Sequence, residues 1–267
     1  MQERPRPYSK TVTHPELAPT SPVGFDILYE RGPCLVVNKP NGLLTQAPPG
    51  IDSLEARIKQ FIKTRDQKPA GVYLGVTHRL DRPVSGIMVF AKHVRAARRL
   101  AEQFLARTVE KHYWALLEGR LDSHVGTWTD FVRKIPDVAQ AEIVPAEHPE
   151  ARIAVLRYRV IALLPGATWV DIELETGRMH QIRVQAAARS HPVVGDVQYG
   201  STRAFGPRPD DERMRWIALH ARSLRFRHPM THEPVFLCAP LPTAWQDFAP
   251  ELAAAEDACA APHPESS

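Results

Sequence analysis

Between residues 25 and 243 the apolar positions fall mostly into short strand-like runs, with a few segments of helical period among them. DILYE (26–30) and CLVVNKP (34–40) flank Arg31-Gly32-Pro33, which predicts a hairpin. Asp52 with Glu55 has the spacing of a capping box ahead of SLEARIKQFIKTR, where Leu54, Ile58, Phe61 and Ile62 share one helical face. GIMVFAK (86–92) reads as a buried strand. HVRAARRLAEQFLAR (93–107) then reads as a helix with Ala97, Leu100, Ala101, Phe104 and Leu105 on one face and Arg95, Arg98 and Arg99 on another.

KHYWALLEG, AVLRYRVIALL and WVDIELET follow as strands, the last two joined by a Pro-Gly turn. MHQIRVQAAARSH suits a short helix, and LHARSLRFR with EPVFLCAP closes a hairpin around residues 228–232. Strand-dominated order with few interleaved helices predicts an α+β fold built on a long mixed, mostly antiparallel sheet. No internal repeat or clean linker divides the body. The expected organisation is a Pro-rich flexible arm (1–22), one domain (23–250) and an acidic disordered tail (251–267).

Composition narrows the class. A 43% hydrophobic and 24% charged chain of 267 residues is that of an ordinary globular protein with room for a sizeable core. No run approaches the roughly 18 apolar residues of a membrane span, and the first residues carry no secretory pattern. Cys34, Cys238 and Cys259 are odd in number and widely spaced, which fits a reducing, cytoplasmic setting and offers no metal spacing. The net charge is +4, but the tail holds four acids and no Lys or Arg; removing those four leaves 34 basic against 26 acidic residues. Such a body can attract a polyanion, with nucleic acid a candidate partner, or be no more than a solvated surface that happens to be arginine-rich.

Two stretches are dense in chemistry. VTHRLDRPVSGIMVFAK (76–92) packs His78, Arg79, Asp81 and Arg82 into five positions directly before a buried strand. An acid at a strand mouth can act on a ligand in a cleft, or simply cap a turn or pair with a neighbouring arginine. ETGRMHQIRVQAAARSHPVVGD (175–196) crowds His180, Gln181 and Arg183 at a helix start, where an arginine can hold a carboxylate through a bidentate pair or lie on the surface. Tyr113, on the strand face opposite His112 and Trp114, is either core or a platform for a base. No Walker loop, GxGxxG, CxxC or nucleophile elbow competes. His228 and His232 straddle a turn containing Pro229, so no metal site is expected.

Taken together, CLVVNKPNGLLT, HRLDRPVSGIMVFAK, EKHYWALLEG, ETGRMHQIRV with HPVVGDVQYG, and LHARSLRFRHP resemble the RluA family of pseudouridine synthases over about residues 25–243. The resemblance implies a cofactor-free isomerase that converts uridine in ribosomal or transfer RNA to pseudouridine, as a monomer with a central cleft. It implies Asp81 as the catalytic aspartate, Arg183 as its partner, Tyr113 as the residue stacking on the target base and Arg79 as the filler of the gap left by the flipped base. Leu224 matches an apolar residue of the site floor. Arg95, Arg98 and Arg99 are candidates for RNA-backbone contact. Val84, Met179 and Gln185 depart from the residues common in relatives, and the stretch before Phe25 is shorter than an S4-like RNA-binding domain. The main alternative is a non-catalytic RNA-binding or ribosome-assembly factor on the same fold. A glycoside hydrolase would need a second acid, for which Glu173 and Glu175 are the candidates.

Overall fold

The computed structural model describes residues 24–248, so the expected arm and tail lie outside the described residues. The strands are β1 (Asp26–Arg31), β2 (Cys34–Lys39), β3 (Gly75–Val76), β4 (Ser85–Ala91), β5 (Glu110–Glu118), β6 (Val125–Lys134), β7 (Ala141–Ile143), β8 (Arg152–Leu164), β9 (Ala167–Leu174), β10 (Leu219–Arg227) and β11 (Pro234–Cys238). The helices are α1 (Leu54–Arg65), α2 (Val94–Leu105), α3 (Gln181–Ala187) and α4 (Thr243–Phe248). All eleven strands join one sheet in the order β1-β2-β4-β10-β5-β9-β8-β6-β7, with β11 beside β10 and β3 beside β4. Only β4 and β10 run parallel, over two residue pairs, so the mixed and mostly antiparallel sheet is as expected.

Every residue of β4 is buried, which is why its sequence is a continuous apolar run rather than an alternation. α2 packs against it, and Leu54, Ile58 and Ile62 of α1 join the same core. Farther along the sheet, β6 and β8 alternate between more buried and more exposed positions, with Trp128 and Leu156 still part of this core, as a sheet solvated on one face does.

Three local expectations are corrected. Ser53, not Asp52, caps α1, accepting from Ala56 N at 3.2 Å, while Asp52 pairs with Arg57 and Glu55 with Lys59 at 2.6 Å. On α2 the buried residues are Ala96 and Leu100, while Leu105 is 86% exposed. Phe104, partly buried against the core as expected, also stacks on the His78 ring, at 4.6 Å between centroids. β6 and β7 had no counterpart in the predicted elements. β6 shows its period-two signal faintly, with Trp128 and Val132 inward among threonines and charges, and three residues of β7 show none. The turn at 228–232 is held by His228, whose Nδ1 accepts from the Met230 and Thr231 amides. Among the described residues no group of three or more His, Cys, Asp or Glu could hold a metal, and no helix is long and apolar enough to cross a membrane.

The β4–β10 junction depends on a glycine. Gly86 pairs with Ala221 at φ +120°, and a Cβ there would lie 2.3 Å from the Ala221 carbonyl oxygen and 2.5 Å from its nitrogen. Beside it, the fully buried His220 bridges Ser85 Oγ (Nδ1, 2.8 Å) and the Ala239 carbonyl (Nε2, 3.3 Å). Burial pushes this imidazole down to about 3, and Arg222 adds to the effect.

Two stability outcomes follow from this junction. Gly86→Ala should cost roughly 3 kcal/mol or more in urea unfolding, because backbone rather than a side chain must yield, whereas Gly32→Ala, in open space at φ +53°, should cost only about 1 kcal/mol. The unfolded chain takes a proton on residue 220 below the ordinary imidazole pKa of 6.5, while the folded chain does so only near 3. Stability should therefore fall as pH drops across that window, by up to about 1.4 kcal/mol per pH unit from this group. Urea midpoints at pH 7 and pH 4, in wild type and His220→Gln, measure that share.

Candidate active site

Asp81 lies in the irregular segment between β3 and β4, and the polar residues after β2 hold that segment in place. Thr45 Oγ1 donates to the Leu80 carbonyl at 2.8 Å and accepts from the Leu80 amide at 3.2 Å. Gly42 N donates to the Arg82 carbonyl at 2.8 Å, and Asn41 Nδ2 to that of Pro83 at 2.7 Å. Fully buried Lys39 donates its three protons to the carbonyls of Pro40 (2.9 Å), Leu43 (2.7 Å) and Arg82 (3.3 Å). Burial pushes this ammonium down to about 7 against the favourable charge of Asp81. The NKPNGLLT stretch is thus the cradle of the Asp81 loop, with an acceptor for each ammonium proton.

The cradle opens onto a cleft of about 1260 Å³, lined by Arg79, Asp81, Tyr113, His180 and Arg183 among others. Arg183, on α3, is 3% exposed, and a buried guanidinium must be paired. Its Nε and Nη2 grip Asp196 at 2.6 and 2.8 Å, Nη2 also donates to Gln198 Oε1 at 2.8 Å, and Nη1 reaches Asp81 Oδ2 at 3.3 Å. The Tyr199 ring lies under the guanidinium carbon at 4.9 Å. Burial opposes the Arg183 charge, but Asp196 and then Asp81 outweigh it, and the pKa is raised.

His180 Nε2 comes within 3.6 Å of the same Asp81 oxygen. Among the described residues Oδ1 accepts no hydrogen bond, and the Asp81 side chain is 30% exposed. One carboxylate oxygen is therefore anchored and the other faces the cleft. Such a group can add to an electrophilic carbon, stabilise a cation or take a proton. The Tyr113 phenol is pushed above its ordinary value by burial and by Asp81, so it stays neutral.

The expected site residues separate here. Asp81, Arg183, Tyr113 and Arg79 line one cleft. Leu224 does not: it is 2% exposed, opposite Lys111 on β5 and Leu237 on β11, and the register shift between Ala221 and Ser223 precedes it. Ile217, just before β10, is among the apolar residues that do line the cleft, with Leu80, Phe104 and Leu174. Arg95, Arg98 and Arg99 are not cleft residues; Arg98 pairs with Glu102 at 3.0 Å and Arg99 donates to the Pro229 carbonyl at 2.8 Å. Arg79, Arg82, Arg107 and Lys111 line the cleft and form no ion pair among the described residues.

Sequence reasoning gave no site role to Asp196, Tyr199 or Lys39, and none to His180 although it singled out the stretch that holds it. Asp196 and Tyr199 had a faint signal, an acid and a tyrosine within VVGDVQYG, shortly after Arg178, Arg183 and Arg189.

Comparison with known proteins gives a consistent outcome. Residues 33–188 match the RNA pseudouridylate synthase family. The chain is 35% identical over 240 residues to ribosomal large subunit pseudouridine synthase D of Xanthomonas campestris, covering 87% of this chain and 70% of that one. It is 30% identical to tRNA pseudouridine synthase C of Vibrio parahaemolyticus, covering 85% and 95% respectively. Other curated relatives are longer, and the chain spans as little as 65% of their length. Among solved structures, human RNA Pseudouridylate Synthase Domain Containing 1 superposes with a TM-score of 0.65 at 26% identity, covering 94% of each chain. A cleft whose aspartate is anchored at one oxygen, on a fold and sequence shared with these proteins, carries the assignment: the chain belongs to the RNA pseudouridylate synthase family.

Proposed function

We propose that this protein isomerises specific uridines of structured RNA, ribosomal or transfer, to pseudouridine, acting in the cytoplasm as a monomer. The observation that carries this reading is the Asp81 carboxylate, with Oδ2 held by Arg183 and Oδ1 open to the cleft. The N1–C1′ bond of the nucleotide breaks and a C5–C1′ bond forms, C5 gives up its proton and N1 takes one up, so substrate and product have the same composition and no cofactor is called for. Attack on the sugar, addition to the base and removal of the C2′ proton all require an unblocked carboxylate oxygen close to C1′, and Oδ1 supplies it.

The target base must leave its stack, at a cost of a few kcal/mol. Stacking on the Tyr113 ring returns about 1–3 kcal/mol, and Arg79, exposed at the mouth, occupies the vacated place. The unpaired cations Arg82, Arg107 and Lys111 hold the phosphates on either side of the target. Arg95, Arg98 and Arg99 contribute less, because the last two already have protein partners.

Mapping pseudouridine across total RNA of cells with and without the gene tests this reading. A site should vanish on deletion and return with wild type, but not with Asp81→Asn, whose rate should drop about 10³-fold or more. Restoration by Asp81→Asn would remove Asp81 from the reaction. RNA affinity measured against salt should respond to the cleft cations. Replacing Arg107 and Lys111 with Ala should reduce the log–log slope by about 0.7–0.9 for each phosphate that is no longer neutralised. The triple replacement of Arg95, Arg98 and Arg99 should change it less.

A further inference from the structure

The Tyr199 hydroxyl has three neighbours and one proton. It accepts from the Ala141 amide at 2.9 Å, and lies 3.2 Å from the Ala141 carbonyl and 2.8 Å from His180 Nδ1. Burial pushes this phenol up to about 12, so the proton stays on the oxygen and must point at one of the two remaining atoms. Two arguments send it to His180. A distance of 2.8 Å suits a hydroxyl donor, whereas 3.2 Å is long for one. The other imidazole nitrogen, Nε2, faces Asp81 Oδ2 at 3.6 Å, where a lone pair would meet a carboxylate and an N–H would be attracted. If Nδ1 accepts, Nε2 carries the proton and both ends of the ring are satisfied.

We propose that Tyr199 and His180 form a positioning pair for Asp81: the tyrosine fixes the imidazole with its proton on Nε2, and that N–H holds Asp81 Oδ2 alongside Arg183, leaving Oδ1 for the substrate. At 3.6 Å the last contact is an approach rather than a hydrogen bond, and it tightens when RNA fills the cleft and excludes water. The arrangement depends on backbone as well as side chain. His180 stands at the N-cap of α3 with φ 51° and ψ 25°, a left-handed conformation in which His and Asn are tolerated better than most residues. Its ring, 8% exposed, meets that of Tyr199 edge to face at 5.7 Å. Tyr199 is fixed in turn by the hydrogen bond it accepts from the Ala141 amide at the start of β7. A strand beyond the cleft thus sets the tautomer of a histidine inside it. The proposal deepens the isomerase reading and rests on it for its kinetic consequences.

Long-range proton–nitrogen NMR on the full ¹⁵N-labelled chain near neutral pH reads the tautomer directly, with His180→Gln assigning the signal. Wild type should show a pyridine-like Nδ1 and a pyrrole-like Nε2 at residue 180, and Tyr199→Phe should abolish that preference. A pyrrole-like Nδ1 in wild type, or an unchanged pattern in Tyr199→Phe, would overturn the proposal. Kinetics on the RNA site that depends on the gene give the second readout. His180→Asn suits the left-handed backbone but is too short to place a donor at the Nε2 position, so kcat should fall about tenfold with KM within about twofold. His180→Gln, whose amide reaches that position, should recover most of the loss. Equal activity of the two variants would also overturn the proposal. Absence of pseudouridine formation by wild type itself would instead sink the isomerase reading, while the NMR result would still decide the tautomer.

Discussion

A guanidinium buried between two carboxylates is the constraint on which the site depends. Arg183 has almost no access to water, and removing a partner from such a charge is far more costly than the pair is worth. Asp196, itself 1% exposed, supplies two bonds and satisfies most of the requirement. Asp81 is therefore not needed to neutralise the arginine alone. It can be touched through one oxygen and left open at the other, which is the division of labour a reactive carboxylate needs. The same pairing ties α3, the turn at 195–199 and the loop before β4 into one unit.

That unit is aimed by the sheet. β4 and β10 run side by side only because Gly86 lets the two backbones meet at Ala221. Their junction fixes where the Asp81 loop leaves the core. The loop is then held by Lys39, Asn41, Gly42 and Thr45, which satisfy the backbone carbonyls that a turn would otherwise bury unpaired. Two distant stretches of sequence, NKPNGLLT and HRLDRP, are thereby halves of one structural device. Arg79, Arg82, Arg107 and Lys111 of the cleft form no ion pair among the described residues, whereas Arg98 and Arg99 on α2 are held by Glu102 and the Pro229 carbonyl. The proposed RNA-facing side rests on this difference rather than on the number of arginines.

Much of this was legible in the sequence because the determining patterns are local. Short apolar runs marked the central strands, α1 and α2 announced themselves by period 3.6, and Pro165-Gly166 and the 228–232 segment marked their hairpins. Asp81, Tyr113, Arg183 and Arg79 were found because their dense stretches match a family in order and spacing, and they do converge on one cleft.

What the sequence left undecided was decided by distance and direction in three dimensions. A helical wheel carries no knowledge of what lies opposite, so it put Leu105 on the buried face although α2 ends over an open cleft. A strand position gives a face and not a depth, so Leu224 could be taken for a floor residue when neighbouring strands cover it. Asp196, His180, Tyr199 and Lys39 acquire their roles only from partners many residues away, through bonds whose geometry no periodicity encodes. The chain by itself determined which elements form and which residues carry charge. The tertiary structure alone decided which of those charges are neutralised and which are free to act, because pairing depends on three-dimensional proximity and not on order along the chain.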